Sequence, residues 1–179
     1  IVDAQDDTDS GGAALFFDAD GRARDAINVR GMNIDLDANG GSIGVVGDDL
    51  DIDSGVVNGS HTAGQGRLFA EASQNIYLTE VNGELNVLAA TALGGALRLT
   101  IPDTSAIDTE NLNLLDIGSG ATARVSEDAA RSVTVSEITA LTTVALWVGD
   151  NVKTFSANRI LAGSGITLRG DQRREGKTD

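Results

Sequence analysis

Short runs of alternating apolar and polar residues recur along most of this chain. The clearest three lie at residues 76–79, 85–87 and 97–101, where apolar side chains return at every second position. A period of two is typical of a strand with one buried face. Only an Asn82-Gly83 turn and a bend of small residues separate these runs, which leaves no room for a crossover helix. The stretch therefore predicts short strands packed closely on one another.

Similar runs occupy residues 13–17, 27–29, 34–37, 50–53, 68–71, 112–114, 123–125, 133–135, 144–148, 152–155, 160–161 and 166–168. Strands this short and this frequent fit an antiparallel sandwich or a parallel β-solenoid. The Asn-Gly and Asp-Gly hairpin signals are too few to connect so many strands as hairpins. The pattern therefore favours an all-β chain wound as a parallel solenoid, with minimal helix beyond a single turn at residues 127–131.

The chain divides into three parts by composition. Residues 1–26 form an acidic lead-in that could contain a first coil, residues 27–171 carry the repeated strands, and residues 172–179 form a basic, flexible tail. Docking of this tail region onto the acidic N-terminal third of a neighbouring copy is the alternative to a flexible end. Ile1 reads as mid-chain sequence, so we expect a piece of a larger protein, and no apolar run approaches the roughly 20 residues of a membrane span.

Composition narrows the class of protein further. Glycine accounts for 22 residues, aromatic residues for 3%, and cysteine is absent, which suits a thin aliphatic core and excludes a disulfide framework. The net charge is −14, and an acidic surface repels phosphate backbones, so nucleic acid is excluded as an expected partner. An acidic, aspartate-rich, cysteine-free chain is common among large secreted bacterial surface proteins.

Several phrases of the sequence resemble a known family. These are Asn-Ile-Asp-Leu-Asp-Ala-Asn-Gly-Gly-Ser-Ile-Gly at 33–44, Asp-Leu-Asp-Ile-Asp at 49–53, Ala-Glu-Ala-Ser-Gln-Asn-Ile-Tyr-Leu-Thr-Glu at 70–80, Gly-Glu-Leu-Asn-Val at 83–87, and two further phrases at 148–152 and 160–171. Together they resemble the repeats of giant bacterial surface proteins of the filamentous-haemagglutinin type, over roughly residues 27–171. One departure is Asp49-Leu50, where that family often has Pro-Leu.

The resemblance implies a right-handed parallel β-helix, export to the cell surface, and an adhesive or fibre-forming role. We therefore expect a structural or adhesive segment of a large extracellular protein, without enzymatic activity or a required cofactor. Its expected partners are neighbouring coils, copies of the same chain stacked end to end, and surface glycans or proteins. A carbohydrate-active β-helix enzyme and a calcium-dependent binding module are the alternatives.

A set of carboxylates carries the calcium alternative. Residues 35–40 read Asp-Leu-Asp-Ala-Asn-Gly, the opening of a calcium loop in which alternate oxygens converge on the ion. The loop lacks its final bidentate glutamate, because Val46 stands at that position. In a solenoid, two pairs of aspartates could instead stack on one outer face and share Ca²⁺. The candidate ligands are Asp35, Asp37, Asn39, Asp51 and Asp53. A solvated acidic face is the simpler interpretation.

Catalytic signals are weak. The single histidine, His61, lies in a loop of Gly, Ser and Thr, and no serine has a nucleophile-elbow context; we expect an exposed loop histidine. A polysaccharide lyase or hydrolase would need paired carboxylates, for which Asp51 with Asp53, or Glu71 with Glu80, are the candidates. We expect Trp147 to fill the core or a coil edge, and Tyr77 to face outward.

Overall fold

The computed structural model describes residues 27–62, 64–103, 109–124 and 132–170. Within these ranges the chain forms seventeen strands and no helix. The strands are β1 (Val29–Gly31), β2 (Asn33–Ala38), β3 (Leu50–Ser54), β4 (Val56–Val57), β5 (Ser60–His61), β6 (Arg67–Ala72), β7 (Ile76–Glu80), β8 (Leu85–Ala92), β9 (Leu97–Ile101), β10 (Leu112–Leu114), β11 (Ala123–Arg124), β12 (Ser132–Val133), β13 (Glu137–Ala140), β14 (Thr143–Val148), β15 (Val152–Lys153), β16 (Arg159–Ala162) and β17 (Gly165–Arg169).

Two parallel sheets contain most of these strands. The first sheet has the order β1-β3-β7-β9-β14-β17. The second sheet joins β2, β6, β8, β13 and β16, and the first half of β8 also pairs with β10, which in turn pairs with β15. Every pairing within the two sheets is parallel. The prediction of an all-β chain with parallel strands is therefore confirmed.

Strands that follow one another along the chain mostly belong to different sheets of the two; the exceptions are β10 followed by β13 and β15 followed by β16, which lie in the second sheet. The chain between two paired positions of one sheet is called a circuit below. In the second sheet Ala70 pairs with Ala90, and Ile138 pairs with Ile160, so the two circuits are of closely similar length. In the first sheet, β14 and β17 are offset by the same distance along the chain as β13 and β16, whereas Leu99 and Leu146 are 47 residues apart. Equivalent positions of successive circuits therefore form columns across each sheet.

One column in the first sheet consists entirely of leucine. Its members are Leu50, Leu78, Leu99, Leu146 and Leu168, joined by the pairings of β3, β7, β9, β14 and β17. The first four are fully buried. Their side chains face those of the second sheet across a core of Ile, Leu, Val and Ala. Alternation places the intervening residues on the outer face, as the period of two in the sequence predicts.

Two excursions interrupt the circuits. The hairpin β4–β5 is antiparallel and follows β3 directly, while the second antiparallel pair, β11–β12, lies between β10 and β13. The second excursion lengthens the circuit in which Leu99 pairs with Leu146. The alternation of apolar and polar residues predicts neither the hairpin β4–β5, although Asn58-Gly59 is a hairpin signal, nor strand β13.

Some predictions concern residues that the structure does not describe. The lead-in at residues 1–26 with its apolar run at 13–17, the helical turn at 127–131 and the tail at 172–179 lie outside the described ranges. In the part of the chain that is described, no helix has the length and hydrophobicity that crossing a membrane requires.

Candidate functional site

The five predicted calcium ligands are divided between the two sheets. Asp35 and Asp37 lie on the exposed face of β2, where the Asn39 side-chain amide donates to Asp37 at 3.2 Å. Asp51 and Asp53 lie on β3 and are buried. Since β2 pairs with β6, and β3 pairs with β1 and β7, the two aspartate pairs are not neighbours in one sheet.

The structure therefore does not stack these four aspartates on a common outer face, an arrangement that the sequence leaves possible. The reason is that residues 39–49 carry the chain from one sheet to the other between β2 and β3. Within the described ranges, no group of three or more His, Cys, Asp or Glu side chains is arranged to hold a metal ion.

Asp53 is instead the buried member of a cluster that it forms with Arg30 and His61 beside the hairpin β4–β5. Its Oδ2 accepts a hydrogen bond from Arg30 Nε at 2.9 Å, and its Oδ1 lies 3.5 Å from His61 Nδ1. The hairpin turns at Asn58 and Gly59, whose φ angles of 50° and 80° are those of the tight turn that Asn-Gly favours. The hairpin therefore brings His61 back over β3, and the prediction of an exposed loop histidine is wrong.

Gly83 makes room for the imidazole ring. A Cβ atom at this position would lie 2.8 Å from His61 Nε2, closer than a real side chain allows. The Asn82-Gly83 turn between β7 and β8 thus serves as one wall of the cluster as well as a connection.

Glu80 lies on the inner side of the same region. Its carboxylate oxygens accept hydrogen bonds from the Ser54 backbone N–H at 3.0 and 3.3 Å. Burial raises the pKa of Glu80 well above its ordinary value of 4.5; hydrogen bonds from Ser54 and the Asn82 backbone oppose the rise, and the nearby Asp53 adds to it. The raised pKa favours the uncharged acid, which suits a core position.

The carboxyl groups that the sequence offers as catalytic candidates differ in their exposure to solvent. Asp51, Asp53 and Glu80 are buried, whereas Glu71 is partly exposed on β6. A general acid or base must come within hydrogen-bonding reach of its substrate. The buried three are covered by neighbouring strands and by the hairpin β4–β5, and Asp53 and Glu80 act as partners of Arg30, His61 and Ser54.

A second cluster lies on the outer face of the first sheet and centres on Arg98 of β9. Its guanidinium forms an ion pair with Asp49 through Nη2 and Nε, the second contact at 3.3 Å. It also lies 5.1 Å from the ring centre of Tyr77 and 4.8 Å from that of Trp147. Trp147 lies on β14, and Arg169 on the neighbouring strand β17 lies 5.4 Å from the Trp147 ring. Cations and aromatic rings thus alternate across four adjacent strands.

Trp147 therefore lies on the outer face, and its prediction as core or edge filler is wrong. The alternation of its own strand contained the signal, because Val144, Leu146 and Val148 are buried and Trp147 falls between them. Tyr77 does face outward, as predicted, and packs against Arg98 on the next strand. Each such cation–ring contact is worth about 0.5–1 kcal/mol at a partly exposed position, so the row binds successive strands together.

Asparagine and serine side chains join successive circuits at the corners between sheets. Asn75 Oδ1 accepts from the Ala96 backbone N–H at 2.9 Å, and the Asn75 backbone N–H donates to Ser42 Oγ at 3.2 Å. On the side formed by β8, β10 and β15, amide side chains contact their counterparts directly. These pairs are Asn86 with Asn113 at 2.9 Å and Asn111 with Asn151 at 3.1 Å.

The last feature is the edge formed by β17. All five of its residues are exposed. Leu168, the end of the leucine column, is 56% exposed, although Leu146 beside it on β14 is fully buried. The described part of the stack therefore ends in an open section of its core.

Comparison of the chain with protein-family models, curated proteins and solved structures finds no match in any of the three.

Proposed function

We propose that this chain is a structural and adhesive segment of a large exported bacterial surface protein, built as a right-handed parallel β-helix. The observation that carries the proposal is that every strand pairing within the two large sheets is parallel and that paired positions align into columns, such as the leucine column. The chain between paired positions varies in length, from 20 residues between Ala70 and Ala90 to 48 between Ala92 and Ala140. Stacking strands of one chain in this way produces a rod in which backbone hydrogen bonds run along the long axis.

The side-chain chemistry supports a mechanical role. The leucine column, the asparagine pairs and the alternating row of arginine and aromatic rings all connect one circuit to the next. Interactions in this direction resist separation of the circuits under load. The partly exposed outer faces, the hairpin β4–β5 and the antiparallel pair β11–β12 then provide surface for weak, multivalent contacts with glycans or proteins of a target surface. The combined strength of such contacts exceeds that of any one of them.

An adhesion assay tests the proposal. Beads coated with the chain at increasing density should attach to cell or glycan-coated surfaces with a steep dependence on density, as multivalent contact requires. Beads coated with heat-unfolded chain provide the control. Parallel incubation with a panel of polysaccharides should release no sugar. Release of reducing or unsaturated products that Asp51→Ala abolishes, or an absence of attachment at every density, would refute the proposal.

A further inference from the structure

The Asn58-Gly59 turn of the hairpin β4–β5 has the features of a site of covalent modification. Val57 pairs with Ser60, so the turn consists of these two residues alone, and both are exposed. A Cβ atom at Gly59 would meet nothing within 4 Å, so no other group crowds the backbone there. Among the described residues, neither the Asn58 side-chain amide nor the Gly59 N–H takes part in a hydrogen bond.

These two groups are the reactants of a known cyclisation of asparagine. Glycine is the residue that best permits it, because glycine has no side chain to hinder the approach of its own nitrogen. The Gly59 nitrogen forms a bond to Asn58 Cγ, the Cγ–Nδ2 bond breaks, and ammonia leaves with the proton of the Gly59 N–H. Water then opens the resulting succinimide ring. Opening at Cγ gives aspartate, and opening at the backbone carbonyl gives isoaspartate, in which the main chain runs through Cβ and Cγ.

The chain contains three Asn-Gly pairs, and the pair at Asn39 is held in an unreactive arrangement. The Asn39 side-chain amide donates to Asp37 at 3.2 Å, and the Gly40 N–H donates to Ser73 Oγ at 2.8 Å. Both reacting groups are thus engaged already. Cyclisation at Asn39 must first break the hydrogen bond of Gly40, whereas cyclisation at Asn58 breaks none within the described residues.

The pair at Asn82 is restrained in a different way. The Asn82 backbone N–H donates to the buried carboxylate of Glu80. A Cβ atom at Gly83 would lie 2.8 Å from His61 Nε2, so the ring packs directly on this glycine. The backbone rotation that cyclisation requires would drive Gly83 against the ring. We propose that Asn58 is a site of spontaneous deamidation, which adds a negative charge to the hairpin and loosens His61 from Asp53.

Isoaspartate changes the shape of the hairpin as well as its charge. It lengthens the main chain within a turn of only two residues, so the register of Val57 with Ser60 is disturbed. His61 follows Ser60 directly, and its contact with Asp53 Oδ1 at 3.5 Å depends on that register. The age of a molecule is thus recorded in how firmly the hairpin holds its histidine. The reaction needs only water, so this proposal is independent of the proposed function.

Peptide mass spectrometry of the folded chain, sampled over time in mildly alkaline buffer, tests the site. Trypsin releases residues 31–67 as one peptide, so Asn39 and Asn58 are compared within the same fragment spectra. Asn58 should convert about tenfold faster than Asn39, a factor that corresponds to about 1.4 kcal/mol, or one hydrogen bond broken beforehand. Asn82, in the peptide 68–98, should also lag behind. In urea the three sites should convert at similar rates. Similar rates in the folded chain would overturn the proposal.

A variant of the protected site tests the reason for the difference. Ser73→Ala removes the acceptor of the Gly40 N–H and should raise the rate at Asn39 toward that at Asn58. An unchanged rate at Asn39 in this variant would mean that hydrogen bonding of the attacking nitrogen does not control the reaction, and the proposal would fail.

The loosening of the hairpin is tested through the single histidine of the chain. Diethyl pyrocarbonate acylates accessible imidazole, and it should modify His61 severalfold faster in aged than in fresh wild-type protein. Asn58→Gly is the matched control, because glycine suits the positive φ of this position and carries no amide; ageing should leave its His61 reactivity unchanged. Complete deamidation of Asn58 without a gain in His61 reactivity would overturn the proposed loosening.

Discussion

Replacing Glu80 by Gln should remove a pH dependence from the stability of this protein. Glu80 is fully buried, and its carboxylate accepts hydrogen bonds from the Ser54 backbone N–H. Glutamine has nearly the same shape and retains a carbonyl oxygen for Ser54, but it cannot ionise. The substitution therefore changes the charge behaviour of the site with little change in packing.

The sign follows from the raised pKa of Glu80. In the unfolded chain the carboxyl loses its proton near its ordinary pKa of 4.5, while in the folded chain it keeps the proton to higher pH. Its contribution to stability is therefore fully present below pH 4.5 and is lost as the pH rises toward the folded-state pKa. One group can change the free energy of unfolding by at most about 1.4 kcal/mol per pH unit within this window.

Urea unfolding at a series of pH values, followed by the fluorescence of the single tryptophan, measures the effect. The difference in unfolding free energy, Glu80→Gln minus wild type, should increase from pH 4.5 upward and then level off. Glu71→Gln, on the outer face of β6, controls for the removal of one negative charge. A difference for Glu80→Gln that is constant with pH would mean that burial does not hold the proton on Glu80, and the reasoning would fail.

Three further predictions concern the outer face, the corners and metal ions. Arg98→Ala should lower the free energy of unfolding by about 2–3 kcal/mol, because it removes the Asp49 ion pair and two ring contacts. Urea unfolding measures the loss of stability. A loss no larger than that expected for an isolated surface ion pair would contradict the prediction. Asn75→Ala should cost about 1–2 kcal/mol, since the partly buried Ala96 N–H loses its acceptor, and unchanged hydrogen exchange at Ala96 would argue against it. Removing calcium with EDTA should leave the midpoint of thermal unfolding unchanged, since the candidate aspartates lie on different sheets; a lower midpoint restored by calcium would contradict this.

The strands are largely accessible to sequence reasoning because alternation is a local property. Runs such as residues 34–37, 97–101 and 144–148 coincide with β2, β9 and β14 to within a residue or two. Alternation does not predict strand β13, because its residues, Glu-Ile-Thr-Ala, include only one large apolar side chain. Its partners β8 and β16 supply the rest of the environment, and the sequence does not reveal that pairing.

The clusters are less accessible because they depend on which distant residues become neighbours. Asp53 is predicted on a solvated face, and the hairpin β4–β5 buries it instead. The hairpin's Asn58-Gly59 turn is visible in the sequence, but the two-residue strands beside it are too short to show alternation. Arg98 carries no signal of its own, because its importance comes from Asp49, Tyr77 and Trp147, which lie far away along the chain.

The leucine column also shows that strands pair in the same way across connections of very different length. The chain passes from Leu78 to Leu99 in less than half the length that it uses from Leu99 to Leu146, yet both pairings have the same parallel register and the same complete burial. Longer loops cost little extra closure entropy, so the section between β10 and β13 can change in size without disturbing the ladder. A foreign domain could be grafted there and carried on the outside of an otherwise unaltered scaffold.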